Sequence, residues 1–167
     1  MSESTLKTYV IAARYRFDVL YFQVEAETPE NAEKIIEQLE WEYEDKKSMP
    51  YIYEKHPQIK DFAIEEDELD FGARYFEISG YHRNGFTLSI DKDIMAILLS
   101  LNDEFPYGIK ESDLSVSFST KEELDVILNN ALATLGDEYT VKVIRNRAFV
   151  YYIVKKEDYL YSRPMGL

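Results

Sequence analysis

Two histidines, His56 and His82, are the only side chains in this chain that titrate near neutrality without a shift. Acid–base chemistry would start from them. His56 stands in Glu54-Lys55-His56-Pro57, and His82 comes just before Arg83-Asn84-Gly85. Neither has a second His, a Cys or a carboxylate at a metal-ligand spacing, and no G-x-S-x-G nucleophile pattern occurs. Both read as ordinary loop histidines. The chain has no Cys, which removes thiolate zinc sites and disulfides alike. Its six glycines are scattered, and no G-x-G-x-x-G or G-x-x-x-x-G-K-[ST] phosphate loop exists. Glu44-Asp45-Lys46 has the acid-x-Lys spacing of a metal-dependent nuclease but falls in a helical pattern, where the side chains diverge. Asp91-Lys92-Asp93 is better explained as a helix cap. No residue is therefore assigned as catalytic, cofactor-binding or metal-binding.

The strongest pattern is one of charge. Glu33, Glu37, Glu40 and Glu44 recur at i, i+4, i+7 and i+11, a carboxylate ridge along one side of an expected helix, with the lone Trp41 beside it. Like charges at i,i+4 weaken a helix by a few tenths of a kcal/mol per pair. A sequence that tolerates this repulsion is a candidate for using the ridge, and a Trp among acids suits an interface anchor. A second acidic run, Glu65, Glu66, Asp67 and Glu68, continues to Asp70. It has the oxygens a hard cation takes, but lacks the Gly and the alternating spacing of an EF-hand loop. These nine residues are the expected partner-binding set.

The elements that would position them follow from periodicity. Residues 8–15 and 19–27 are β-rich, joined by Arg16-Phe17-Asp18. In the second, Leu20, Phe22, Val24 and Ala26 form one face and Tyr21, Gln23, Glu25 and Glu27 the other, the alternation of a half-buried strand. Thr28-Pro29 opens a helix with stripe Ala32, Ile35, Ile36, Leu39 and Tyr43, expected to reach about Lys46. Pro50 and Pro57 predict an irregular link, with a strand over 59–64. Residues 74–81 and 86–90 flank Asn84-Gly85, a hairpin signal. Asp91 caps a short apolar helix over 92–101, and a strand over 114–118 follows. Thr120 and Glu123 open a capping-box helix that stops at Gly136, and residues 138–144 and 148–154 form a last hairpin. The order is ββα, an irregular link, ββα, then βαββ. The class is α+β: antiparallel sheets built from hairpins, with three main helices packed on one face. The expected core includes Ile35, Ile97, Val141 and Val143 with Ile11, Leu39 and Leu124.

At 167 residues the chain is expected to form a single compact domain, 1–167, or two subdomains, 1–71 and 72–167. With 46% hydrophobic residues it is too apolar to stay unfolded despite a net charge of −13. The acid is concentrated in residues 1–139; residues 140–167 carry six basic and two acidic side chains. Such a field repels nucleic acid and attracts basic partners. Neither a leader nor a membrane segment is apparent at the start, so a cytoplasmic setting is expected. The resulting expectation is a non-enzymatic protein, without cofactor, that docks on a basic, nucleic-acid-binding surface of a protein partner. Small acidic inhibitors of restriction or CRISPR-type defence enzymes share this composition. An immunity, antitoxin or regulatory partner protein is the first alternative, and an enzyme without a readable motif the second.

Overall fold

A computed structural model describes residues 5–16, 18–39, 42–43, 46–66, 77–101, 115–145 and 149–161. The chain opens with β1 (Lys7–Tyr15) and β2 (Asp18–Ala26), paired antiparallel through a tight turn in which Arg16 takes φ 54°. Then come α1 (Pro29–Glu37), a single 3-10 turn at Lys46–Ser48, α2 (Met49–Lys55) and β3 (Ile59–Glu66). β4 (Glu77–His82), β5 (Phe86–Ser89) and α3 (Lys92–Leu101) follow, then β6 (Ser115–Phe118), α4 (Lys121–Leu135), β7 (Tyr139–Arg145) and β8 (Phe149–Lys155). The strands form two four-stranded sheets, ordered β3-β2-β1-β4 and β6-β5-β8-β7. The class is α+β, and all pairings are antiparallel except β5 with β8. Among the described residues no helix is long and apolar enough to cross a membrane.

The first sheet is covered on both sides. Ile11, Ala13, Leu20, Phe22 and Val24 pack under Ala32 and Ile36 of α1 and Met49 and Ile52 of α2. Val10, Ala12 and Tyr21 point the other way, into a second cluster with Leu124 and Leu128 of α4 and Phe86, Leu88, Phe149, Tyr151 and Ile153 of the second sheet. Hence β2 is not half-buried as its alternation suggests: Tyr21 and Gln23, on its expected solvent face, are buried. The Gln23 amide stays satisfied by donating to the Tyr151 hydroxyl at 2.9 Å, which removes the penalty for burying a polar group. Of the expected core, Ile35, Ile97, Val141 and Val143 are only half-buried.

Three local expectations change. The first helix ends at Glu37, not near Lys46. A tightened turn, with the Leu39 amide donating to the Ile36 carbonyl at 3.0 Å, follows it. Tyr43 is then held by donating to Asp18 Oδ2 at 2.6 Å and by an edge contact with Tyr15. The link contains a helix, α2, because Pro50 occupies its first turn, where a missing N–H is harmless. Finally, Asn84-Gly85 is no hairpin. β4 belongs to the first sheet and β5 to the second, and neither residue has positive φ.

Tyr151 supplies a test of the central layer. Burial pushes its hydroxyl up to about 12, whereas an unfolded tyrosine titrates near 10. Below pH ~10 both states hold the proton and the stabilisation is complete; it is lost as pH rises through ~12, where the unfolded chain has already ionised. Melting temperatures measured across that window should fall more steeply in wild type than in Tyr151→Phe. Parallel curves would remove Tyr151 from this role.

Candidate functional site

α1 begins where Thr28 Oγ1 accepts from the Asn31 amide at 3.1 Å, with Pro29 preset for the first turn. Ala32 and Ile36 face the sheet, so Glu30, Glu33 and Glu37, at i, i+3 and i+7, run along the side left to solvent and β4. Glu30 and Glu37 are exposed; Glu33 is half-buried, its Oε1 3.9 Å from where a Cβ on Gly80 would stand. α4 starts at the same end of the molecule. Its Thr120 hydroxyl accepts from the Glu123 amide at 3.3 Å, and Glu122 accepts from the Thr8 amide of β1.

Tyr9 of β1 senses acids from the starts of both helices. Burial raises its pKa first, then Tyr81, Glu122, Glu30 and Glu123. The Tyr9 hydroxyl donates to the Glu27 carbonyl at 3.4 Å. The negative potential that Tyr9 senses thus comes from both helices. Acids in a first turn also suit the positive end of the helix dipole, which accounts for Glu30, Glu122 and Glu123. It does not account for Glu33 and Glu37.

The expected binding residues separate into two places. Glu33 and Glu37 share α1. Glu65 and Glu66 end β3, with Glu65 Oε2 accepting from the Tyr21 hydroxyl at 3.4 Å. β3 and β4 are opposite edges of one sheet, about 14 Å apart at normal strand spacing, and α1 lies on the β4 side. Glu33 and Glu65 therefore lie towards opposite edges of that sheet. Glu40, Trp41, Glu44, Asp67 and Glu68 lie outside the described residues. Glu30 continues the α1 stripe one turn earlier, and repeating the i, i+3 spacing backwards would have found it. Glu122 and Glu123 belong to a distant helix, and no sequence signal links them to Tyr9.

His56 is more than a loop residue. It caps α2, and its Nε2 lies 2.7 Å from Glu42 Oε2, while Lys55 Nζ reaches Glu42 Oε1 at 2.6 Å. The hydrogen bond from Lys55, and behind it the His56 ring, holds the Glu42 carboxyl below the usual carboxylate range. The cluster ties the turn after α1 to the end of α2.

Two open hollows adjoin β8. One, about 380 Å³, is lined by Asp137, Glu138, Lys155, Lys156 and Glu157. The other, about 220 Å³, has Ile94, Ile97 and Val154 beneath Asp91, Asp93 and Asp158. Within it, Tyr152 donates to Asp91, and burial together with that carboxylate pushes the phenol well above its ordinary value. Tyr152 is thus a neutral donor at physiological pH, with its proton committed to Asp91. Among the described residues no three of His, Asp and Glu stand close enough to hold a metal ion. No protein-family model matches the chain, and no curated protein or solved structure is significantly similar to it.

Proposed function

We propose that this protein is a binding module whose acidic α1 surface docks on a basic surface of another protein. One observation carries the reading: Glu30, Glu33 and Glu37 are aligned at i, i+3 and i+7 on the side of α1 turned away from its core residues Ala32 and Ile36. The stripe retains same-sign neighbours that mixed charge would relieve, and the chain around it has a net charge of −13.

The density of charge bears on the partner. Three carboxylates over about 10 Å of helix axis give one charge per ~5 Å. Duplex DNA presents one per ~1.7 Å of axis. Such a stripe suits a compact basic patch on a protein. Inhibition of a nucleic-acid enzyme is the narrower form of the same reading, in which that patch is one that normally binds phosphates.

Titration of an arginine-rich peptide against the fluorescence-labelled protein, at rising salt, tests this. Affinity should fall as salt screens the contact. Glu30→Lys, Glu33→Lys and Glu37→Lys together should weaken it at least about tenfold, the order expected when several charges of a docking surface are reversed, while thermal melts confirm that the variant, which loses a favourable dipole contact at Glu30, is still folded. Equal affinity in the triple variant would reduce the stripe to a solvated face. If the protein also displaces duplex DNA from a basic DNA-binding domain, the narrower form is favoured.

A further inference from the structure

The link from the first sheet to the second carries reactive chemistry of its own. Asn84 is followed by Gly85, and none of the other asparagines, Asn31, Asn102, Asn129, Asn130 and Asn146, precedes a glycine. β4 ends at His82 and β5 begins at Phe86, so the pair lies outside both strand ladders. Asn84 is exposed, and among the described residues its carboxamide is held by no hydrogen bond. Gly85 has no Cβ to shield its own nitrogen. The side-chain carbonyl of Asn84 and the main-chain nitrogen that attacks it are therefore adjacent, in a residue type known to be thermolabile.

We propose that Asn84 is a self-modification site, converted by deamidation to aspartate and isoaspartate, and that the isoaspartate loosens the joint between the sheets. The Gly85 nitrogen attacks Asn84 Cγ, and the new N–C bond closes a succinimide ring. The side-chain amide leaves as ammonia, taking the proton that the attacking nitrogen gives up. Water then opens the ring by breaking the bond from nitrogen to one of its two carbonyl carbons. Opening at Cγ leaves aspartate. Opening at the main-chain carbonyl leaves isoaspartate, whose main chain is longer by one methylene. The sum is hydrolysis of an amide, with water as the sole co-reactant. Only the second product changes the path of the chain, and it does so where space is exhausted: a Cβ on Gly85 would stand 2.5 Å from Val10 Cγ2. The crossing is anchored at both ends. His82 pairs with Val10 of β1, and the Gly85 carbonyl accepts from the Phe149 amide at 3.2 Å. A methylene added between these anchors displaces one of them, because close-packed surroundings have no void to take it.

Incubation of the folded wild type at mildly alkaline pH, which favours the deprotonated nucleophile, tests this, with tryptic peptides followed by mass spectrometry. The peptide containing residue 84 should gain one mass unit well before those containing the other asparagines. Stepwise chemical sequencing, which halts at isoaspartate, identifies the product. The isoaspartate form, separated by chromatography, should melt several degrees below the starting protein. Freshly prepared Asn84→Asp has the charge without the added methylene and should melt with the starting protein. Asn84→Gln, whose larger ring closes slowly, should gain no mass at residue 84. A wild type that gains no mass there, or gains it no sooner than at the other asparagines, overturns the modification. An isoaspartate form that melts with the starting protein overturns the loosening. So does an Asn84→Asp variant that melts as low as the isoaspartate form, since charge alone would then explain the loss.

Discussion

Truncating Leu39 to alanine is expected to destabilise the fold by about 2–5 kcal/mol, the range for a buried leucine whose cavity cannot collapse. Leu39 is fully buried among Ala32, Ile36, Tyr43, Met49 and Ile52. It follows the end of α1, and its carbonyl accepts from the Glu42 amide at 2.9 Å and the Tyr43 amide at 3.2 Å. The side chain therefore fills the core where the chain turns from α1 towards α2, and a void there loosens both helices. Urea unfolding of wild type and Leu39→Ala gives the difference directly. A loss under ~1 kcal/mol would mean that the turn, and not the side chain, holds this junction.

How far the sequence reached depends on what kind of signal each element had. Local signals were reliable: Thr28 and Thr120 cap their helices with side-chain hydrogen bonds, and Gly136 ends α4 at φ 93°, a backbone value that suits a residue without Cβ. Leu39 and Tyr43 are buried as the apolar stripe required, though the helix stops at Glu37. Burial of a stripe and continuity of a helix are separate properties, and i, i+3, i+4 spacing reports only the first. Nonlocal facts had no signal. Tyr21 and Gln23 look solvent-facing until the second sheet is placed against them, and no pattern foretells that Glu122 of α4 accepts from the Thr8 amide of β1. Pro50 has the sequence signature of a breaker because the sequence does not fix where the helix starts; in the first turn the same residue is compatible with α2.

Asn84-Gly85 shows the same limit most sharply and yields the second large effect. A glycine after asparagine suggests a primed turn with positive φ, but the reason for glycine here is space. A Cβ at Gly85 would stand 2.5 Å from Val10 Cγ2 and 2.6 Å from Val10 Cβ, with the His82 carbonyl at 3.3 Å. Neither side can yield easily. Val10 lies in β1, paired with Gln23 on one side and His82 on the other, and the Gly85 carbonyl accepts from the Phe149 amide at 3.2 Å. Gly85 is thus where the chain leaves the first sheet for the second at minimum separation. Gly85→Ala should destabilise by about 3 kcal/mol, the upper part of the usual range for overpacking a core. Val10→Gly removes both clashing atoms. In that background, itself weakened by a glycine in a central strand, adding Gly85→Ala should cost far less than it does in wild type, a coupling of about 1–3 kcal/mol. Denaturant melts of the four proteins in this cycle measure it. An alanine at 85 that costs the same in both backgrounds would show that the strain lies in the backbone at this crossing and not in the contact with Val10.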